Sequence, residues 1–137
     1  MTGINPYLNF KGNTEEAFNF YKSIFGGEFT VVMRFKDLPP EAAVPGSDPE
    51  KIMHIALPIG KETILMGNDV AETTIGNNFF ISINMHSEGE ADLIFKGLSA
   101  GGKVTMPMQK VFWGAYFGMF KDKFDIQWMV SFDYNQK

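Results

Sequence analysis

The stretch "GNTEEAFNFYKSIFGGEFT" (residues 12–30) is built like one helix with a start and a stop, and its echo later in the chain decides the fold. Asn13 or Thr14 can cap the first turn, and Glu15 and Glu16 place negative charge where the helix dipole favours it. Ala17, Phe20, Tyr21, Ile24 and Phe25 follow at helical spacing, and Gly26-Gly27 can adopt the left-handed backbone that ends a helix. A weaker copy, "SEGEADLIFKGLSAGGKVT", occupies residues 87–105. Glu16-Ala17 matches Glu90-Ala91, and Gly26-Gly27 matches Gly101-Gly102 with one residue of slip.

The flanking segments repeat as well. "INPYLNF" (4–10) alternates Ile4, Pro6, Leu8 and Phe10 against Asn5, Tyr7 and Asn9, a period of two that means a strand. After the first helix, "EFTVVMRF", residues 51–59 and "TILMG" read as three more strands, with "GKE" turning between the last two. After the second come "KVTMPMQ", "FWGAYFGMF" and "DIQWMVSF", preceded by the strand "FFISINM"; "DKFD" makes a hairpin turn before the last strand. The order strand, helix, three strands thus occurs twice, and agreement of the whole order makes internal duplication the better reading. We expect an α+β fold of two tandem βαβββ units in a single domain over residues 1–137, the first unit at 1–68, a linker at 69–77 and the second unit at 78–134. Residues 36–50 hold four of the seven prolines, an irregular surface loop long enough to be a lid.

Composition narrows the function classes. A chain of 137 residues, 45% hydrophobic, fits one compact core or two half-size units that share one. The net charge of -4 and pI near 5.1 come from scattered Asp and Glu, and the 12 Lys and Arg form no stripe that could neutralise phosphates, so nucleic acid is not an expected partner. Absence of cysteine removes disulfides, thiolate metal sites and a Cys nucleophile, and fits a reducing compartment. "MTGINPYLNF" has no positive n-region or long apolar stretch, and no window is long and apolar enough to span a bilayer; a cytoplasmic location and no membrane partner are expected. Fourteen Phe and nine Met serve either core packing or a pocket for an apolar or planar ligand.

"NPYLNFKGNTEEAFNFYKSIFGGEF", "IMHIALPIGKETILMGND" and "FWGAYFGMFKDKFDIQWMV" resemble the PhnB-like branch of the vicinal oxygen chelate superfamily, which includes glyoxalase I, extradiol dioxygenases, fosfomycin-resistance enzymes and bleomycin-binding proteins. The resemblance covers nearly the full chain and implies a mixed sheet curled around a cavity and a homodimer. Many members carry the label 3-demethylubiquinone methyltransferase. S-adenosylmethionine enzymes of the usual kind need a parallel α/β sheet with a glycine-rich turn at a strand end, whereas the Gly-Gly pairs here end helices. In metal-using members four His or Glu ligands come from the first and last long strands of each unit. Carried over one at a time, they fall on Asn5 or Pro6, near Leu65, on Phe80 and on Met129. None is a good ligand for a divalent cation, so no metal and no cofactor are expected.

His54 is the candidate catalytic residue, because alternation sets it opposite Met53, Ile55 and Leu57 and its side chain suits acid–base work near neutrality. A hydrogen bond to a neighbouring strand or a dimer contact would equally account for it. His86, just before the second helix, reads as a solvated loop residue. The candidate ligand-binding set is Tyr7, Asn9, Phe80, Ser82, Asn84, Trp113, Gln127 and Met129, neutral polar groups among apolar walls. Arg34 would balance an anionic ligand or simply stand exposed on its strand. The expected function is metal-independent binding of a small molecule; an enzyme using His54 and a non-catalytic interaction dimer are the alternatives.

Overall fold

The computed structural model describes residues 3–135 and divides into two units, between Thr74 and Ile75. In the first, β1 (Tyr7–Phe10) leads into α1 (Thr14–Phe25), then β2 (Val31–Arg34), β3 (Ile52–Ile59) and β4 (Thr63–Asp69). The sheet order is β1-β4-β3-β2, with β1 and β4 parallel and the other pairs antiparallel. The second unit repeats this with β5 (Ile81–Asn84), α2 (Glu88–Ser99), β6 (Lys103–Val111), β7 (Ala115–Lys121) and β8 (Gln127–Asp133), in the order β5-β8-β7-β6. Again only the first and last strands run parallel. The two tandem βαβββ units expected from the repeat are present, and neither four-stranded sheet closes on itself.

In each unit the helix covers one face of its sheet. α1 buries Thr14, Ala17, Phe18 and Tyr21, so the inward stripe is rotated toward Phe18, while Phe20 is only half-buried. Phe18 meets Phe10 and Tyr21 edge-on at 6.2 and 5.7 Å between ring centroids, over the buried Leu8, Ile55, Leu57 and Leu65. Gly67 leaves room for this ring, since a Cβ there would lie 2.9 Å from it and 2.8 Å from the Leu8 carbonyl oxygen. In the second unit Phe95 of α2 meets Phe120 at 5.1 Å, above a core of Trp128 and Val130.

The polar stitching differs between units. The side chain of Asn13 makes no cap to α1. Buried Asp69, at the end of β4, instead accepts from the Thr14 N–H (3.0 Å), the Thr14 hydroxyl (2.7 Å) and the Ile52 N–H (2.8 Å). α2 is capped locally: Ser87 Oγ accepts from Glu90 N at 3.0 Å and Glu90 Oε1 accepts from His86 N at 2.9 Å. Asp122 opens the turn 122–125 and accepts from Phe124 N, Ile126 N and Trp128 Nε1. The matched glycine pairs also work differently. Gly26 and Gly27 both have positive φ, 78° and 81°, whereas a Cβ on Gly102 would collide with the backbone of Lys121 and Asp122.

Three sequence expectations shift. The strand at 28–35 shortens to β2 because a bulge after Met33 and a 3-10 turn at Phe35–Asp37 interrupt it. "FWG" is not strand: Phe112–Gly114 form the hairpin turn between β6 and β7, with Gly114 at φ 89°. The base of the Pro-rich loop is zipped by Phe35 N to Lys51 O and Lys36 N to Pro49 O, both 3.1 Å, which extends the β2–β3 pairing past the strands.

Candidate functional site

Strand alternation gives each sheet a face turned away from its helix, and the candidate polar residues of the strands gather there. On the first sheet Tyr7, Met66 and Ala56 form one row across β1, β4 and β3. Asn9 pairs with Asn68 on the same face, its amide donating to Asn68 Oδ1 at 2.6 Å, and His54 pairs with Met33 of β2. Tyr7 and His54 meet: the phenol oxygen lies 3.1 Å from His54 Nδ1, and the rings stack at 5.6 Å with 22° between planes. Partial burial pushes the Tyr7 phenol above its usual pKa, so it is protonated at neutral pH. This partner for His54 was invisible in the sequence, since it lies 47 positions away and depends on the parallel β1–β4 register.

On the second sheet Ser82, Met129, Met119 and Met106 stand in one row across all four strands, and Asn84, Ser131 and Phe117 in another. Ser82 and Asn84 are exposed and Met129 half-buried. Phe80 precedes β5, outside the sheet and half-buried. The Gln127 side chain donates to the Phe79 carbonyl at 2.6 Å and ties β8 to the approach of β5. Asn5 does the mirror task in the first unit, accepting from Ile64 N at 2.8 Å. Trp113 sits on the β6–β7 turn, 55% exposed, packed edge-on against Phe117 at 5.6 Å.

The positions corresponding to superfamily metal ligands can now be tested against their chemistry. Leu65 is buried on the α1 face, so its neighbour Met66, in a row with Tyr7, takes that place. The equivalent row of the second unit pairs Ser82 with Met129. Of the carried-over positions, the Asn5 amide oxygen is already engaged, Pro6, Leu65 and Phe80 offer no side-chain donor atom and Met129 only a thioether; the phenol, thioether and hydroxyl of Tyr7, Met66 and Ser82 in the same rows do not fit a divalent cation either. Among the described residues, no group of three or more His, Asp or Glu is placed to hold a metal ion.

A recess of about 330 Å³ lies elsewhere in the first unit, lined by Gly12, Glu15, Arg34, Asp48, Glu50, Lys51, Ile52 and Asp69. Arg34 donates to both Glu15 oxygens, at 3.1 and 2.6 Å, and to the Glu50 carbonyl at 2.8 Å, while Lys51 donates to the Gly12 carbonyl at 2.8 Å. The guanidinium pulls the Glu15 carboxyl below its usual pKa. Arg34 is therefore neither a free anion ligand nor a bare exposed side chain. The second unit clamps helix to sheet with Tyr116, which donates to Asp92 Oδ1 at 2.7 Å and has its pKa pushed up to about 12 by that bond.

The model of the family described as 3-demethylubiquinone-9 3-methyltransferase matches residues 2–131. Protein YjdN of Escherichia coli K12 is 27% identical over 93% of each chain. The crystal structure of PA1353 from Pseudomonas aeruginosa shares 38% identity over 97% of this chain and 98% of its own, with a TM-score of 0.86. A PhnB protein from Bacillus cereus, described as a putative 3-demethylubiquinone-9 3-methyltransferase, shares 23% identity over 94% of this chain and 98% of its own, with a TM-score of 0.77. At 19% identity and a TM-score of 0.63, covering 97% and 89%, a glyoxalase-related enzyme from Fulvimarina pelagi shares the fold.

Proposed function

The chain belongs to the family described as 3-demethylubiquinone-9 3-methyltransferase, the PhnB-like branch of the glyoxalase/bleomycin-resistance/dioxygenase fold, and from that membership we propose that it binds a small, partly aromatic or apolar molecule without a metal. The observation that carries this reading is the make-up of the helix-free faces. On the first unit's face Tyr7, Asn9 and His54 stand among Met33 and Met66, and on the second unit's face Ser82 and Asn84 stand among Met119 and Met129; each has the mixture of a few placed polar groups and apolar wall that small-molecule sites use. The family's label is not adopted as an activity, because each unit has a single parallel strand pair and its Gly-Gly pair follows a helix instead of opening one.

The first experiment is elemental analysis of the purified chain together with thermal shift against zinc, nickel, manganese and iron, then a ligand screen with and without chelator. Near-zero metal, no stabilisation by metals and a ligand whose stabilisation survives chelation support the proposal. Stoichiometric bound metal would sink it.

The contact between Tyr7 and His54 favours a second reading, an enzyme in which His54 moves a proton. Turnover of a screened substrate that survives His54→Ala would remove His54 from it. We further propose a cytoplasmic homodimer, supported by the exposed edges β2 and β6 and by Phe112, 98% exposed on its turn. Light scattering that finds a monomer at working concentrations would refute the dimer. Among the described residues no helix is long and apolar enough to cross a membrane.

A further inference from the structure

We propose that Tyr7 is a positioning residue that fixes His54 as a hydrogen-bond donor through Nε2, so that the first sheet's helix-free face selects planar ligands carrying an acceptor oxygen, a carbonyl or carboxylate. The ligand class rests on the small-molecule reading above; the fixed donor does not.

A protonated phenol 3.1 Å from Nδ1 donates to it, and a neutral imidazole that accepts at Nδ1 carries its proton on Nε2. The phenol is the stronger acid of the pair and the imidazole nitrogen the stronger base, which favours this arrangement over Nδ1–H donating to the phenol oxygen. The rings stack with 22° between their planes, and together with the hydrogen bond this sets the direction of Nε2.

The strand residues around the pair are apolar or amide-bearing. Beside Tyr7 and His54 the paired residues of this face are Asn9, Met66, Asn68, Ala56, Val31 and Met33, none of them a carboxylate that would stabilise an imidazolium. An Nε2–H on a face with Met33 beside His54 and the Tyr7 ring stacked on it suits an acceptor oxygen carried on a flat, polarisable body.

The test uses the full chain labelled with nitrogen-15, held about two pH units above the ordinary imidazole pKa of about 6.5. Long-range proton–nitrogen correlation reads both ring nitrogens of each histidine, and His54→Gln assigns the pair. The wild-type chain should show a single tautomer with the proton on Nε2. Tyr7→Phe, which keeps the ring, should relax His54 to a mixture while the thermal midpoint and helical signal stay near those of the wild type. A proton on Nδ1 in the wild type, or no change in Tyr7→Phe, overturns the proposal.

Benzoate and benzamidinium, one planar acceptor and one planar donor, then probe the ligand class. Benzoate should shift the His54 Nε2–H resonance, with affinity falling about tenfold in Tyr7→Phe, the worth of one oriented hydrogen bond. Benzamidinium should leave it in place. If benzoate raises the thermal midpoint but leaves Nε2–H unmoved, the binding reading survives and this one fails. If benzoate neither raises the midpoint nor moves that resonance, the ligand class is refuted.

Discussion

The two units share element order and strand pairing, yet they hold the helix start to the sheet by opposite means. In the first, one buried carboxylate from the last strand, Asp69, gathers the start of α1 and the start of β3. In the second, Ser87 and Glu90 cap α2 from within its own first turn, and the buried Asp122 serves the neighbouring turn and Trp128. At the helix start, therefore, the same topology uses long-range polar contacts in one copy and local ones in the other. A duplicated backbone constrains where orphan donors must be satisfied, and leaves open which part of the chain supplies the acceptor.

The sharpest way to break this contrast is Asp69→Ala. It leaves two backbone N–H groups and a buried hydroxyl without an acceptor, and should cost about 4 kcal/mol in urea unfolding, at the scale of charged hydrogen bonds lost in a core. Next comes the pair of matched glycines. Gly102→Ala drives a methyl into the Lys121 and Asp122 backbone and should cost about 3 kcal/mol. Gly27→Ala meets only the Pro58 carbonyl at 3.7 Å and should cost about 1 kcal/mol, for its backbone conformation alone. Equal losses at the two sites would end the claim that one glycine is there for space and the other for its φ. Ser87→Ala removes a single exposed cap bond and should cost about 1 kcal/mol, well short of Asp69→Ala.

The smallest effect concerns the helix-to-sheet clamps and their dependence on pH. Glu15 holds a lowered pKa, so its bond to Arg34 contributes fully above the unfolded carboxyl value of 4.5 and is lost as pH falls through the lower folded value. Glu15 is half-exposed and the pair screened by solvent, so Glu15→Gln should cost at most about 0.5 kcal/mol at neutral pH and nothing in strong acid. Tyr116 runs the other way. Its raised pKa keeps the bond to Asp92 intact below pH 10 and surrenders it as pH climbs through about 12. Spectrophotometric titration should show a late phenol step that Tyr116→Phe removes.

Periods of two and of 3.6 residues are local properties, which is why the element order, the "DKFD" turn and the helix-free placement of Tyr7, Asn9, His54, Ser82 and Asn84 could be read from the sequence. What required the structure depends on register between distant segments. Asp69 as the acceptor for Thr14 and Tyr7 beside His54 both arise from the parallel β1–β4 pair, which leaves no spacing signal. The rotation of α1 onto Phe18 follows from the space that Gly67 leaves across the core. Trp113 was misplaced on a strand because an aromatic run reads as β until Gly114 turns it.

The parallel pairing of first and last strands also sets an order in time. As the ribosome releases the chain from its N-terminus, Tyr7–Phe10 emerges first and stays unpaired until Met66–Asp69 has cleared the exit tunnel. The same wait then recurs for Ile81–Asn84 and Trp128–Ser131. Each unit thus completes its sheet only at its own last strand, so a chain cut short before Met66–Asp69 or before Trp128–Ser131 leaves a first strand without its pairing partner.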